Sequence, residues 1–154
     1  TRTMGLPKKS PVEQALASKM IALLQKGGYE VIFPENMEKL CCGTIWESKG
    51  MLDIADRKSA ELEAALWKAS EQGRYPVLCD QSPCLHRMRE TIHKMKLYEP
   101  AEFIYTFLRT RLVFTPTDRP VAVHITCSMR KMGLPARLQP WHVSAHPKSS
   151  YPKK

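Results

Sequence analysis

A chain of 154 residues has room for one domain with its own core, and a hydrophobic content of 43% sets it apart from disordered sequences. Its longest apolar runs, such as Val31 to Phe33 and Val121 to Ile125, fall far short of the ~20 residues that span a bilayer, and no signal-peptide core opens the chain. A soluble cytoplasmic unit is therefore expected, with any membrane contact made through a partner.

The net charge of +9 fits an acidic partner, a phosphate-bearing ligand or an anionic surface. The excess lies at the ends, in Arg2, Lys8, Lys9, Lys148, Lys153 and Lys154, and in a scatter of Arg87, Arg89, Lys94 and Lys96. No basic stripe alternates with aromatics, and no zinc-finger, helix-turn-helix or RNA-binding motif occurs, so solvated surface charge and no nucleic-acid partner are expected.

In chain order, Ser10-Pro11-Val12-Glu13 reads as a helix start, followed by an apolar face of Val12, Leu16, Met20, Leu23 and Leu24 and a stop at Gly27-Gly28. Tyr29 to Phe33 reads as a short buried strand, and Pro34 begins a loop that leads to Cys41-Cys42-Gly43. A helix is expected from about Met51 to Gln72, stopped by Gly73, with Asp53 and Asp56 on its polar face. The strand Pro76 to Cys79 ends in Asp80-Gln81-Ser82-Pro83, a turn and helix start that puts Cys84 near a helix amino end. Helices follow at about Cys84 to Met95 and Pro100 to Leu108. A third strand, Val121 to Ile125, carries His124 as a core or edge histidine, with Cys127 two residues beyond it.

This order predicts a layered α/β domain with a mainly parallel sheet built from βα units. The cysteines then share one address, the loops at the carboxyl ends of strands, where open α/β sheets bind ligands and cofactors. Adjacent side chains diverge on a helix or strand, so Cys41 and Cys42 can converge only on an irregular loop, which Gly43 permits. Five cysteines are an odd number in a chain too long to depend on disulfide staples, and metal ligation or redox chemistry suits them better. Trp46 and Trp67 are expected in the core, and the methionines as gap fillers. His86 is the other histidine near the cysteines, and it is not assigned as a ligand.

Arg2-Thr3-Met4-Gly5-Leu6-Pro7 is echoed by Arg130-Lys131-Met132-Gly133-Leu134-Pro135, five identities in six positions. The offset, 132 − 4 = 128, pairs Cys127 with a position two residues before Thr1. With Thr as the first residue and three prolines without helical period in residues 139–154, an incomplete piece of a larger protein is expected.

These residues resemble the cysteine-rich CCG domain found in heterodisulfide reductase, in the iron-sulfur protein of glycolate oxidase and in anaerobic glycerol-3-phosphate dehydrogenase. The strongest resemblance is to the carboxyl end of FAD-linked D-lactate dehydrogenases. It divides the chain into a first CCG repeat, residues 1–125, without its opening cysteine, the start of a second repeat, residues 126–138, and an irregular tail, residues 139–154.

The resemblance implies that Cys41, Cys42 and Cys84 are ligands of a first site and that Cys127 opens a second. The family's last pair is often Cys-x-x-Cys, yet the residue three before Cys84 is Gln81. Either Cys79 substitutes or fewer thiolates serve. The implied cofactor is an iron-sulfur cluster, of the 4Fe-4S type, or zinc, with FAD on another domain or subunit. Implied partners are a flavoprotein dehydrogenase part and ferredoxin-like clusters, with a membrane-anchored acceptor reached through them at the inner membrane.

The chain itself carries neither the ferredoxin cysteine pattern nor a dinucleotide fingerprint, so it is expected to be part of an oxidoreductase, with no catalytic residue of its own. A helix starting near Pro83 would turn backbone N–H groups toward an anionic cluster. Two other readings of the thiols are a structural zinc domain that docks partner subunits and a redox enzyme acting through the vicinal pair Cys41 and Cys42.

Overall fold

A computed structural model describes residues 16–115 and 124–134. Helix α1, Leu16–Lys26, is followed by a single 3-10 turn, Met37–Lys39, and the short helix α2, Thr44–Glu47. The long α3, Leu52–Ala69, leads to strand β1, Val77–Leu78, helix α4, Ser82–Thr91, and strand β2, Leu97–Tyr98. Helix α5, Pro100–Phe103, runs into a π-helical turn at Ile104–Leu108, and α6 covers Cys127–Lys131.

The architecture mixes helix and strand. Its sheet among the described residues is one parallel pair, Val77 opposite Leu97 and Leu78 opposite Tyr98, with α4 as the crossover between the strands. The Val77 N–H donates to the Lys96 carbonyl and the Cys79 N–H to that of Tyr98, at 2.9 and 3.0 Å.

Helix ends follow local chemistry. Gly28, at φ +82°, closes α1 with a Schellman arrangement in which the Gly28 N–H donates to Gln25 and the Tyr29 N–H to Leu24, both at 3.0 Å. Glu99 caps α5, accepting from the N–H groups of Ala101 at 2.7 Å and Glu102 at 3.3 Å. Its own N–H donates to the Glu102 carboxylate, completing a capping box. Glu99→Ala is expected to lower the unfolding free energy by about 1 kcal/mol, read as an earlier urea midpoint at unchanged slope.

Two apolar clusters hold these elements. The larger joins Leu66 of α3, Leu85, Met88 and Ile92 around α4, and Met95 and Leu97 around β2, with Cys42 buried among them. Leu85, Met88 and Ile92 recur at the spacing of one helix face, so α4 is the central stave. Trp67 and Met132 pack against this cluster. The smaller cluster gathers Leu24, Phe103 and Leu108, with Tyr29 and Tyr98 edge-on to the Phe103 ring.

Tyr29 to Phe33 forms no strand and pairs with no sheet, unlike the buried strand expected there. Tyr29 and Val31 pack on the smaller cluster, but Ile32 and Phe33 are 53% and 54% exposed, and two successive outward side chains break strand alternation. His124 is likewise exposed and, with Ile125, lies outside any strand. The rest of that expected strand, residues 121–123, lies outside the described residues, as do the helix start at Ser10 and the tail 139–154.

Helix α6 packs along α4, with the Thr126 hydroxyl donating to Ser82 Oγ at 3.3 Å and Leu134 fully buried. Residues 126–134 thus lie against α4.

Candidate functional site

The Cys41-Cys42-Gly43 turn is built by its surroundings. Gly43 adopts φ +87°, and a Cβ there would lie 2.4 Å from the Ala55 carbonyl oxygen and 3.0 Å from Arg87 Nε. Only glycine admits the chain this close to α3 and α4. From Gly43 the chain turns into α2, which packs on α3 and α4. The Cys42 carbonyl accepts two buried hydrogen bonds, from Ser59 Oγ and Arg87 Nε, each 3.0 Å long.

The thiols follow from this mounting. Cys42 is 6% exposed, with Sγ 3.2 Å from Thr44 Oγ1, while the half-buried Cys41 sulfur accepts from the Gly43 N–H at 3.4 Å. Cys79 comes immediately after β1, its thiol donating to the Gln81 carbonyl at 3.6 Å. Cys84 stands in the first turn of α4 and hydrogen-bonds the Cys42 thiol, and both Cys79 and Cys84 pack against the cluster that buries Cys42. Cys42, Cys79 and Cys41 all push the Cys84 thiol up through their charge.

Their proton affinities diverge. The hydrogen bond from Cys84 is the largest influence on Cys42, and with the Thr44 hydroxyl and N–H it overcomes burial to lower that thiol to about 5. Cys84 is pushed the other way, first by the hydrogen bond to Cys42 that retains its proton, then by burial and the neighbouring thiolate charges. Burial is the main cause that raises Cys79. Within the pair, Cys42 is the more acidic thiol and Cys84 the one that holds its proton.

Thiols of this kind suit soft metals and iron-sulfur clusters, which bind the deprotonated form. Their chemistry fits such a group, and all five cysteines are free. Among the described residues, however, no three His, Cys, Asp or Glu side chains already stand in a metal-holding arrangement. The four thiols are neighbours that must draw inward to close a ligand shell.

Cys127, the first residue of α6, is exposed and outside the apolar cluster that holds Cys42 and Cys84. Thr126 caps α6 and contacts Ser82, which brings Cys127 to the same end of α4 as Cys84. A cleft of about 370 Å³ separates α2, α4 and α6 there, lined by Thr44, Pro83, His86 and Ser128 among others. His86 turns to Glu90, with Nδ1 3.2 Å from its carboxylate.

The common strand-end address holds for Cys79, and Cys84 follows in the next helix. It fails for Cys41 and Cys42, which follow a 3-10 turn and reach the site through the packing of α2 on α3 and α4. Arg87, counted above as surface charge, is 4% exposed and binds the Cys42 carbonyl, Glu47 and Asp56. Its one sequence signal is position: three residues after Cys84, it shares that helix face. Ser59 and Thr44 carry no comparable signal.

Comparison of the chain with protein-family models, curated proteins and solved structures finds no match. Among the described residues no helix is long and apolar enough to cross a membrane.

Proposed function

We propose that this chain is a cluster-binding electron-transfer domain of a flavin-linked respiratory dehydrogenase, of the D-lactate, glycolate or glycerol-3-phosphate type. The observation that supports this reading is the packing of Cys79 and Cys84 against the apolar cluster that buries Cys42, with Cys41 next to it in the chain, near the amino end of α4. Four thiols match the ligand count of an ordinary cluster, and Cys79 takes the place of the Cys-x-x-Cys partner that the sequence lacks. A bound iron-sulfur cluster supplies one-electron chemistry.

The chain's own residues do the rest. Cys42 offers a ready thiolate, Cys84 gives up its proton on binding, and the first turn of the ten-residue α4 turns its N–H groups and positive dipole end toward the anionic set. In this reading β1-α4-β2 is one unit of a layered, mainly parallel α/β domain, FAD and ferredoxin-like clusters reside on partner parts, and the domain works at the cytoplasmic face of the inner membrane.

Reconstitution without air, using ferrous iron and sulfide, tests the proposal. The expected result is a brown protein with iron and sulfide in cluster stoichiometry, whose visible sulfur-to-iron absorption is lost in Cys41→Ser, Cys42→Ser and Cys84→Ser. Zinc bound without iron or sulfide would replace electron transfer with a structural zinc domain. A protein that stays colourless and metal-free would overturn both.

A further inference from the structure

Arg87 is the most heavily committed side chain near the thiols. Its guanidinium is buried and uses all three nitrogens: Nε donates to the Cys42 carbonyl at 3.0 Å, Nη2 to Asp56 at 2.8 Å and Nη1 to Glu47. These partners lie on the cysteine turn, on α3 and on α2, whereas Arg87 belongs to α4, the helix that carries Cys84. One rigid fork therefore ties the Cys42 backbone to the Cys84 helix and anchors it from two further sides.

We propose that Arg87 is a positioning residue that holds the Cys42 turn against α4, so that the Cys42 and Cys84 sulfurs stay paired. Its charge is not the operative feature. The causes that lower the Cys42 thiol are Cys84, Thr44 and nearby backbone, and the guanidinium faces the carbonyl side of the turn. Ser59 Oγ shares the carbonyl and, 3.2 Å from Thr91 Oγ1, makes a second tie to α4, but at the carboxyl end of that helix, away from Cys84. Gly43 completes the mounting, because a Cβ there would press on the same Arg87 Nε.

The test measures sulfur pairing directly in the metal-free full chain, with Cys41, Cys79 and Cys127 changed to Ser. Dibromobimane, which fluoresces when it bridges two close thiols, is expected to link Cys42 and Cys84 efficiently. In Arg87→Met the ratio of paired to unpaired sulfurs should fall by about tenfold, the change in equilibrium constant that matches one lost hydrogen bond to a charged group, and the linked yield of folded protein should fall with it. Arg87→Lys, with the charge but not the fork, should behave like Arg87→Met. Where Arg87→Met fails to fold, the pair Glu47→Gln and Asp56→Asn frees the far side of the fork and should also lower the yield.

Unchanged linking in variants that only melt earlier would make Arg87 merely structural, and full linking in Arg87→Lys would assign the role to charge. Failure of the parent protein to link would remove the pairing itself. Each result overturns the proposal. Cadmium titration of the protein with all cysteines separates this inference from the cluster reading, because a chain that binds no cadmium through sulfur can still show the Arg87 effect on linking.

Discussion

Gly43→Ala is expected to lower the unfolding free energy by about 2–5 kcal/mol, combining a left-handed backbone cost of about 1–2 kcal/mol with an overpacking cost of about 1–3 kcal/mol. Against a total of about 5–15 kcal/mol for an ordinary domain, such a loss leaves a marginal protein. The backbone part follows from φ +87°, and the packing part from the 2.4 Å approach to the Ala55 carbonyl, which belongs to the α3 backbone and cannot swing aside as a side-chain tip can.

Gly50 isolates the two contributions. It has φ +75° but no atom within 4 Å of an added Cβ, so Gly50→Ala should show the backbone cost alone, about 1–2 kcal/mol. Urea unfolding of the two variants measures the difference. Equal losses would mean that the Cys42 turn is not pressed into α3, and the account of how Cys41 and Cys42 are mounted would fall with it.

The same turn marks the boundary of what the sequence could disclose. Helix α3 was legible because its apolar period persists over five turns, yet it ends at Ala69 rather than near Gln72. The chain enters left-handed backbone at Glu71 and Gln72 before it reaches Gly73, and neither side chain announces such a conformation. Strand β1 was legible from its Pro76 and Cys79 limits, but β2 was not. Leu97 and Tyr98 are two residues between Lys96 and Glu99, too few for alternation to register, and their pairing depends on β1 partners twenty residues earlier.

At the site, the helix start at Cys84 was legible, but the packing around the Cys42 turn was not. Thiols beside a glycine pointed to soft-metal chemistry, and Cys84 was expected at the helix start where it stands. Arg87 read as surface charge because the carboxylates that allow its burial, Glu47 and Asp56, are 40 and 31 residues away. Local patterns report which face of an element is apolar. They do not report which distant charge will neutralise a buried one.

In the metal-free protein, Cys84→Ala should move the Cys42 ionisation from about 5 back toward 9.0, since the Cys84 hydrogen bond is the largest influence on it. The reaction rate with an alkylating agent at neutral pH is a poor way to see this. Losing four pH units of acidity removes about 99% of the thiolate at pH 7, while the more basic thiolate reacts about 40- to 100-fold faster, so the two effects nearly cancel. The midpoint of the pH–rate profile, or of thiolate ultraviolet absorbance, carries the whole shift.

Stability should follow with a defined sign. A thiol lowered on folding contributes stability that is fully present above the unfolded value near 9.0 and is lost as pH falls through about 5. Cys84, raised on folding, contributes in the opposite sense, fully below that unfolded value and less as pH climbs beyond it. The parent protein should therefore gain stability between pH 5 and 9 and lose it above, whereas Cys84→Ala should flatten both slopes. Identical midpoints in the two proteins would mean that the sulfurs of Cys42 and Cys84 do not share a proton. They would then be independent thiols, and the first two ligands of the proposed centre would have to be brought together by the metal alone.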